Sequence, residues 1–210
     1  TAIKNNKHVM VEKPLCLNEK ELNRIHRIHS KNNNIFISSN FVLRSNDRFI
    51  KLKNEINSND FGDISFIDCD YLWGRKEKLF GWRAEMDFYS IILGAAIHMI
   101  DLVMWILESK PKSVYATGNQ IGLEGSNFKF NSFAILILKF DNGSIVKITG
   151  NGGCVHPHFH GLKVFGTKKT FIQDLNSAYL LNNSQSVFKK DLINEPYPQK
   201  ETRKKIINSF

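Results

Sequence analysis

Residues 91–107, IILGAAIHMIDLVMWIL, form an almost unbroken apolar run, and this run constrains the fold more than any other segment. A helix apolar on nearly every side has to be covered on nearly every side. The run is shorter than the roughly 20 residues that span a bilayer, and His98 and Asp101 lie near its middle. It therefore reads as a buried core helix over about residues 93–107. The opening TAIKNNKHVMVEKPL has no apolar signal segment. The expectation is a soluble, cytoplasmic protein with no membrane partner.

The 210 residues leave room for one large domain or two small ones around that helix. Before it, Val9-Met10-Val11 and Ile35-Phe36-Ile37 are short β-like runs flanking an amphipathic helix over about residues 18–32. Asn18 is placed to cap that helix, with Glu21 three residues on and Leu22, Ile25 and Ile28 as its apolar stripe. Strand, helix and strand at this pitch make a βα unit of a parallel sheet. A second helix is predicted over about residues 45–56 and a long strand over 64–73. From Ser113 onward strands dominate. The clearest pair is FAILILKF and SIVKITG, joined at Asp141-Asn142-Gly143. Shorter runs follow at 162–165 and 170–172, then a polar stretch from Asn182, and ETRKKIINSF starts a last helix. The fold class is the α/β tail of one domain followed by a mainly antiparallel α+β domain.

Lys and Arg total 29 against 20 Asp and Glu, a net charge of +9. The Lys residues are spread along the chain, and Asn and Ile are also abundant, so compositional bias accounts for the excess and no nucleic-acid partner is expected. Three cysteines (Cys16, Cys69, Cys154) are too few and too far apart for a disulfide framework.

Several residues could carry chemistry. Lys13, in Glu12-Lys13-Pro14, follows a strand whose carboxyl end in an open parallel sheet borders a ligand crevice; it is either a turn lysine or an ammonium aimed into that crevice. His98 shares a helix face with Gly94 and Asp101. Gly94 leaves space beside the imidazole, and Asp101 could accept its hydrogen bond, giving either a structural pair or a general acid–base titrating near neutrality. Cys154, His156, His158 and His160 alternate in CVHPHFH and would share one side of a regular strand. Pro157 breaks that ladder and a second ligand cluster is missing, so an imidazole-lined wall is favoured over a metal site. Arg83, in Trp82-Arg83, suits either a phosphate or carboxylate or an interdomain salt bridge. No GxGxxG, GxxxxGK[ST] or GxSxG occurs.

NKHVMVEKPL, Phe61-Gly62-Asp63-Ile64, Gly81-Trp82-Arg83 and the 91–107 helix with its GxxxHxxD pattern together resemble the glucose–fructose oxidoreductase / inositol dehydrogenase (Gfo/Idh/MocA) family over about residues 1–180. The resemblance implies a Rossmann tail over residues 1–40. Over residues 41–210 it implies an α+β domain with a large open sheet, through which homo-oligomers (dimer or tetramer) form. It also implies hydride transfer between NAD or NADP and a hydroxyl carbon of a sugar, cyclitol or nucleotide-sugar. The finer pattern looks like a branch associated with surface-polysaccharide biosynthesis. Lys13 and His98 take the catalytic roles. Glu12, Lys13, Pro14 and Arg83 face the cofactor, and Arg44, Asp101, His158 and His160 the substrate. Aligned on EKP, the chain begins late in the Rossmann domain, so it is expected to be a fragment, short of its last helix as well and inactive alone. Many members have Asp where this chain has Gly94. The alternative function is therefore a non-catalytic sugar-binding or oligomerisation protein.

Overall fold

The computed structural model describes residues 2–184, 187–199, 201–208 and 210. Strand β1 (Val9–Val11) pairs in parallel with β2 (Ile37–Ser39), with Met10 opposite Ser38, and helix α1 (Glu19–His29) connects them. α1 starts at its expected cap: Asn18 Oδ1 accepts from Glu21 N at 2.9 Å, and Glu21 Oε2 accepts from Leu17 N at 2.8 Å. That reciprocal exchange satisfies amide donors that the first turn cannot bond internally. The helix is shorter than the expected 18–32, and its apolar stripe is only partly covered, with Ile25 and Ile28 half-buried and Leu22 exposed.

A short 3₁₀ turn (Val42–Ser45) leads to α2 (Asp47–Asn57). Asn46 caps α2 by accepting from Arg48 N at 3.0 Å, so this helix begins two residues later than the sequence suggests. Eight strands then build one sheet: β3 (Ile64–Leu72), β4 (Ser113–Asn119), β5 (Phe133–Lys139), β6 (Ile145–Asn151), β7 (Phe159–Gly166), β8 (Lys169–Gln173), β9 (Ala178–Ser184) and β10 (Val187–Leu192). Their spatial order is β10-β9-β8-β7-β3-β6-β5-β4. Every neighbouring pair is antiparallel except β3 with β6, where Cys69 lies opposite Ile148. The molecule is thus the α/β tail of a Rossmann-like unit followed by an α+β domain with a large, open, mainly antiparallel sheet.

The β5–β6 hairpin turns where Asp141-Asn142-Gly143 places it, and Gly143 adopts φ +88°, which a side chain would strain. The hairpin of β9 and β10 was not expected, because residues from Asn182 read as a polar tail. Its strands lie at a sheet edge, where Asn182 donates to Asp191 at 2.7 Å and Lys190 covers the Tyr179 ring at 3.9 Å. Polar cross-strand contacts of this kind support an edge without an apolar signal.

One sheet face carries α2 and α3 (Ile97–Leu107). The apolar segment does not start as an α-helix, since residues Ile92–Ala96 form a π-helical turn that runs into α3. Gly94, Ala95 and Ala96 are buried there, and a side chain on Gly150 of β6 would come within 3.1 Å of Ala96 Cβ. Small residues on both surfaces let the helix start approach the sheet closely. Phe49, Leu52, Ile67, Cys69, Met99, Leu102, Val103, Ile148, Leu162 and Phe171 complete the core beneath it. A satellite cluster of Leu79, Ala84, Leu123 and Phe128 anchors the long loop between β3 and the π-helical turn. Ile67→Ala on central β3 is expected to cost about 2–5 kcal/mol in denaturant unfolding. Val114→Ala on exposed β4 should stay within about 0.5 kcal/mol.

Candidate functional site

The end of β1 reaches the start of α3 through one contact. Lys13, joined to Pro14 by a cis peptide, donates from Nζ to the Gly94 carbonyl at 2.5 Å. Burial lowers the pKa of its ammonium; Glu12 opposes that shift and Arg83 adds to it. Glu12 is otherwise engaged in tying the ends of β1 and β2 together, accepting from Asn40 Nδ2 at 2.9 Å.

His98 follows one turn after Gly94 and is buried at 8% exposure. Its partner is not the expected one. Asp101 accepts both donors of Arg44, at 2.8 and 2.5 Å, while His98 Nδ1 is buried with no hydrogen-bond partner among the described residues. The imidazole therefore does not titrate near neutrality. Burial first, then the charges of Lys13 and His158, push its pKa down to about 3. The fork of Arg44 fits a carboxylate in bidentate fashion, which is why it takes Asp101 away from the histidine. The Arg44–Asp101 pair borders a cavity of about 530 Å³, lined also by Ser39, Phe41 and Lys205, beside the Lys13–His98 pair rather than over it.

Around His98 the chain builds an aromatic wall. Tyr71 of β3 stacks on the His98 ring at 5.8 Å and 12°, and Phe41 meets its edge at 6.1 Å. His160 lies 4.7 Å and His158 5.3 Å from the Tyr71 ring, and the two imidazoles are 4.9 Å apart. His158 Nδ1 bonds the Trp73 carbonyl, and His160 Nδ1 bonds the Tyr197 hydroxyl. The wall is thus formed by His158 and His160. Cys154 and His156 do not join it: the segment before β7 is not a regular strand, Cys154 Sγ bonds the Asn151 carbonyl, and half-buried His156 has Nδ1 on the Pro157 carbonyl.

The guanidinium carbon of Arg83 lies 4.1 Å from the Trp82 ring centroid and within 6 Å of the Trp73 and Tyr89 rings, and Arg83 hydrogen-bonds Tyr89. No interdomain salt bridge holds it among the described residues. Tyr89 also packs on Gly94, where an added Cβ would meet the Tyr89 ring and hydroxyl at 2.6 Å. Gly94 is thus required by its neighbour: the tyrosine occupies the space that a side chain at 94 would need. Tyr71, Tyr89 and Tyr197 were not singled out from the sequence. Tyr71 had a readable signal, as it continues the inward alternation Ile67, Cys69, Tyr71 of β3.

The sequence profile of the GFO/IDH/MocA C-terminal domain matches residues 49–172. The chain belongs to the GFO/IDH/MocA family. Among curated relatives, the Thermotoga maritima myo-inositol 2-dehydrogenase is 25% identical over 176 residues, covering 81% of this chain and 50% of that protein. The chain spans about half the length, or less, of the curated relatives it matches. Among solved structures, myo-inositol 2-dehydrogenase from Lactobacillus plantarum superposes with a TM-score of 0.78 at 21% identity, covering 98% of this chain and 61% of that one. A levoglucosan dehydrogenase complex with NADH superposes at 0.83 with 15% identity, covering 99% of this chain and 63% of that one. These two likenesses establish the fold.

Two outcomes follow from the geometry. Gly94→Ala should destabilise the chain by about 1–3 kcal/mol, with most of the loss recovered in a Tyr89→Ala background; thermal unfolding of the four variants checks it. The second concerns pH. His98 is held neutral when folded and takes a proton when unfolded, so its contribution to stability is complete above about pH 6.5 and is lost as pH falls toward 3. The slope is at most about 1.4 kcal/mol per pH unit. Urea unfolding between pH 7 and 4.5 should therefore lose less stability in His98→Asn than in the wild type.

Proposed function

We propose that the protein is an NAD(P)-dependent oxidoreductase acting on a hydroxyl carbon of a sugar, cyclitol or nucleotide-sugar. The observation that carries this reading is the meeting of Lys13 and His98. An ammonium from the end of a parallel strand is held one helical turn from a neutral imidazole with an unpartnered nitrogen. Residues 1–40 are read as the last part of the cofactor-binding domain and residues 41–210 as the substrate and oligomerisation domain.

The chain's own groups suit a nicotinamide cofactor. Lys13 stands at the carboxyl end of parallel β1, where open α/β sheets bind ligands, and Arg83 has a buried Nε without a partner. Glu12, Lys13, Pro14 and Arg83 would hold the cofactor, which when bound supplies the hydride acceptor or donor. On the chain's side, Lys13 leaves the Gly94 carbonyl for the substrate oxygen and stabilises negative charge there. His98 Nδ1 accepts the hydroxyl proton in oxidation and returns it in reduction. Burial keeps the imidazole neutral in the unliganded site, so Nδ1 has a lone pair free to accept. The Tyr71–His158–His160 cluster, its rings set edge to face, lines one side of the site with imidazoles, and Arg44 and Asp101 offer hydrogen bonds from the adjoining cavity.

A homo-oligomer through the sheet's uncovered face suits the half-buried Phe66–Phe165 stack at 5.9 Å and the exposed Val114 and Tyr115 of β4. Three unpaired cysteines suit the reducing cytoplasm. A role in polysaccharide biosynthesis would require a nucleotide-sugar substrate. The test is NADH absorbance during incubation of the full-length protein with a panel of cyclitols, sugars and nucleotide-sugars. Turnover is expected with at least one compound, and His98→Asn and Lys13→Met should each lower kcat about 100-fold or more. Sugar binding without turnover of any compound would replace this reading with the non-catalytic one.

A further inference from the structure

Arg75 has no part in the reading so far, yet it repeats the circumstances of Arg83. Its guanidinium carbon lies 5.4 Å from the centroid of the Trp73 ring, and that of Arg83 lies 5.9 Å from the same centroid. Both arginines have a buried Nε without a hydrogen-bond partner, and neither forms an ion pair among the described residues. Most other buried or half-buried cations of the chain are matched. Lys53 pairs with Glu108, Lys147 with Asp68, and Lys169 with Glu55, while Arg48 bonds Gln173 and the Glu195 carbonyl. Buried N–H donors left open are uncommon and call for a partner.

The manner of holding matters. An aromatic ring engages the face of a guanidinium and leaves its in-plane donors uncommitted. The guanidinium carbon of Arg83 lies 4.1 Å from the Trp82 centroid and that of Arg75 lies 5.4 Å from the Trp73 centroid; Arg83 also hydrogen-bonds Tyr89, and in both arginines Nε stays open. Trp73 is itself fixed, donating from Nε1 to the Arg75 carbonyl at 2.7 Å. Lys13 adds a third positive charge close enough for Arg83 to act on it. Glu12 is the nearby carboxylate, and it already accepts from Asn40. The cations come from three separate segments: the end of β1, the end of β3, and the loop before α3.

We propose that Arg75 and Arg83, with the charge of Lys13 beside them, form a subsite for an oxyanion carried by the substrate, so that the sugar is a phosphate-bearing or carboxylate-bearing one rather than a neutral one; Arg83 then serves the substrate in place of its cofactor role. Calling the ligand a substrate rests on the oxidoreductase reading; the oxyanion site itself rests on the two arginines. Two forks set around one indole suit the paired oxygens of a carboxylate or phosphate, which a single lysine could not orient.

The experiment is calorimetric titration of the chain with glucose 6-phosphate, glucuronate and glucose, with and without NADH. The charged sugars are expected to bind at least about tenfold more tightly than glucose and to weaken as salt is raised. Whichever charged sugar binds more tightly identifies the substrate's oxyanion as phosphate or carboxylate. Arg75→Gln should weaken their binding about tenfold at unchanged melting temperature, and Arg75→Lys should restore little of it. Should a variant fail to fold, the wild-type comparison of charged with neutral sugars decides alone. Equal affinity for glucose, or an Arg75→Gln variant that binds as well as the wild type, overturns the proposal. So does competition between NADH and the charged sugars, which would give the arginines to the cofactor's phosphates. Turnover of neutral cyclitols with no preference for charged sugars would overturn this inference and leave the oxidoreductase reading standing.

Discussion

The close approach of Ala96 and Ile91, at the start of the apolar helix, to Gly150 of β6 is the constraint on which the rest of the site depends. A wider separation would move α3 off the sheet, and His98 would no longer reach the ring of Tyr71 on β3. The π-helical turn presents the Gly94 carbonyl to Lys13 and lets Tyr89 settle against the Gly94 α-carbon. One main-chain turn therefore sets the positions of an ammonium, a phenol and an imidazole that come from three segments.

Much of the fold was legible because the signals were local. The apolar run at 91–107 announced a buried helix, Asn18 a helix start, and Asp141-Asn142-Gly143 a hairpin. The π-helical turn was not legible, since Ala96 beside it packs on Gly150, more than fifty residues along the chain. The β9–β10 hairpin escaped for a different reason: an edge strand supported by Asn182–Asp191 and Lys190–Tyr179 contacts needs no apolar alternation.

The site divides in the same way. Lys13, His98, Arg83, His158 and His160 stood out as residue types at readable positions, and the structure brings these five near one another. What each one bonds could not be read from helix spacing. Asp101 sits three residues after His98, at a distance where a bond is natural, but Arg44 offers it two donors and wins. Tyr197 lies in a stretch that reads only as polar, although its hydroxyl bonds His160. Charge was the least informative feature: the cations are spread over the surface, several of them in ion pairs such as Lys51–Glu195 and Lys205–Asp47.

The position of β3 has a consequence for how the chain assembles. Strands β4, β5 and β6 pair with their immediate neighbours in sequence, as do β7, β8, β9 and β10, and all but the β4–β5 pair are joined by short turns. β3 lies between the two sets, and its partners β6 and β7 arrive about eighty and about ninety-five residues later. Pairings at that separation carry a large loop-closure cost and form slowly. Central β3, which supplies Tyr71 to the site, is therefore made first and paired late. Until the ribosome has delivered both neighbours, its backbone edges and the apolar side chains of Ile67 and Cys69 stay unprotected, and any folding helper would find its most inviting segment there.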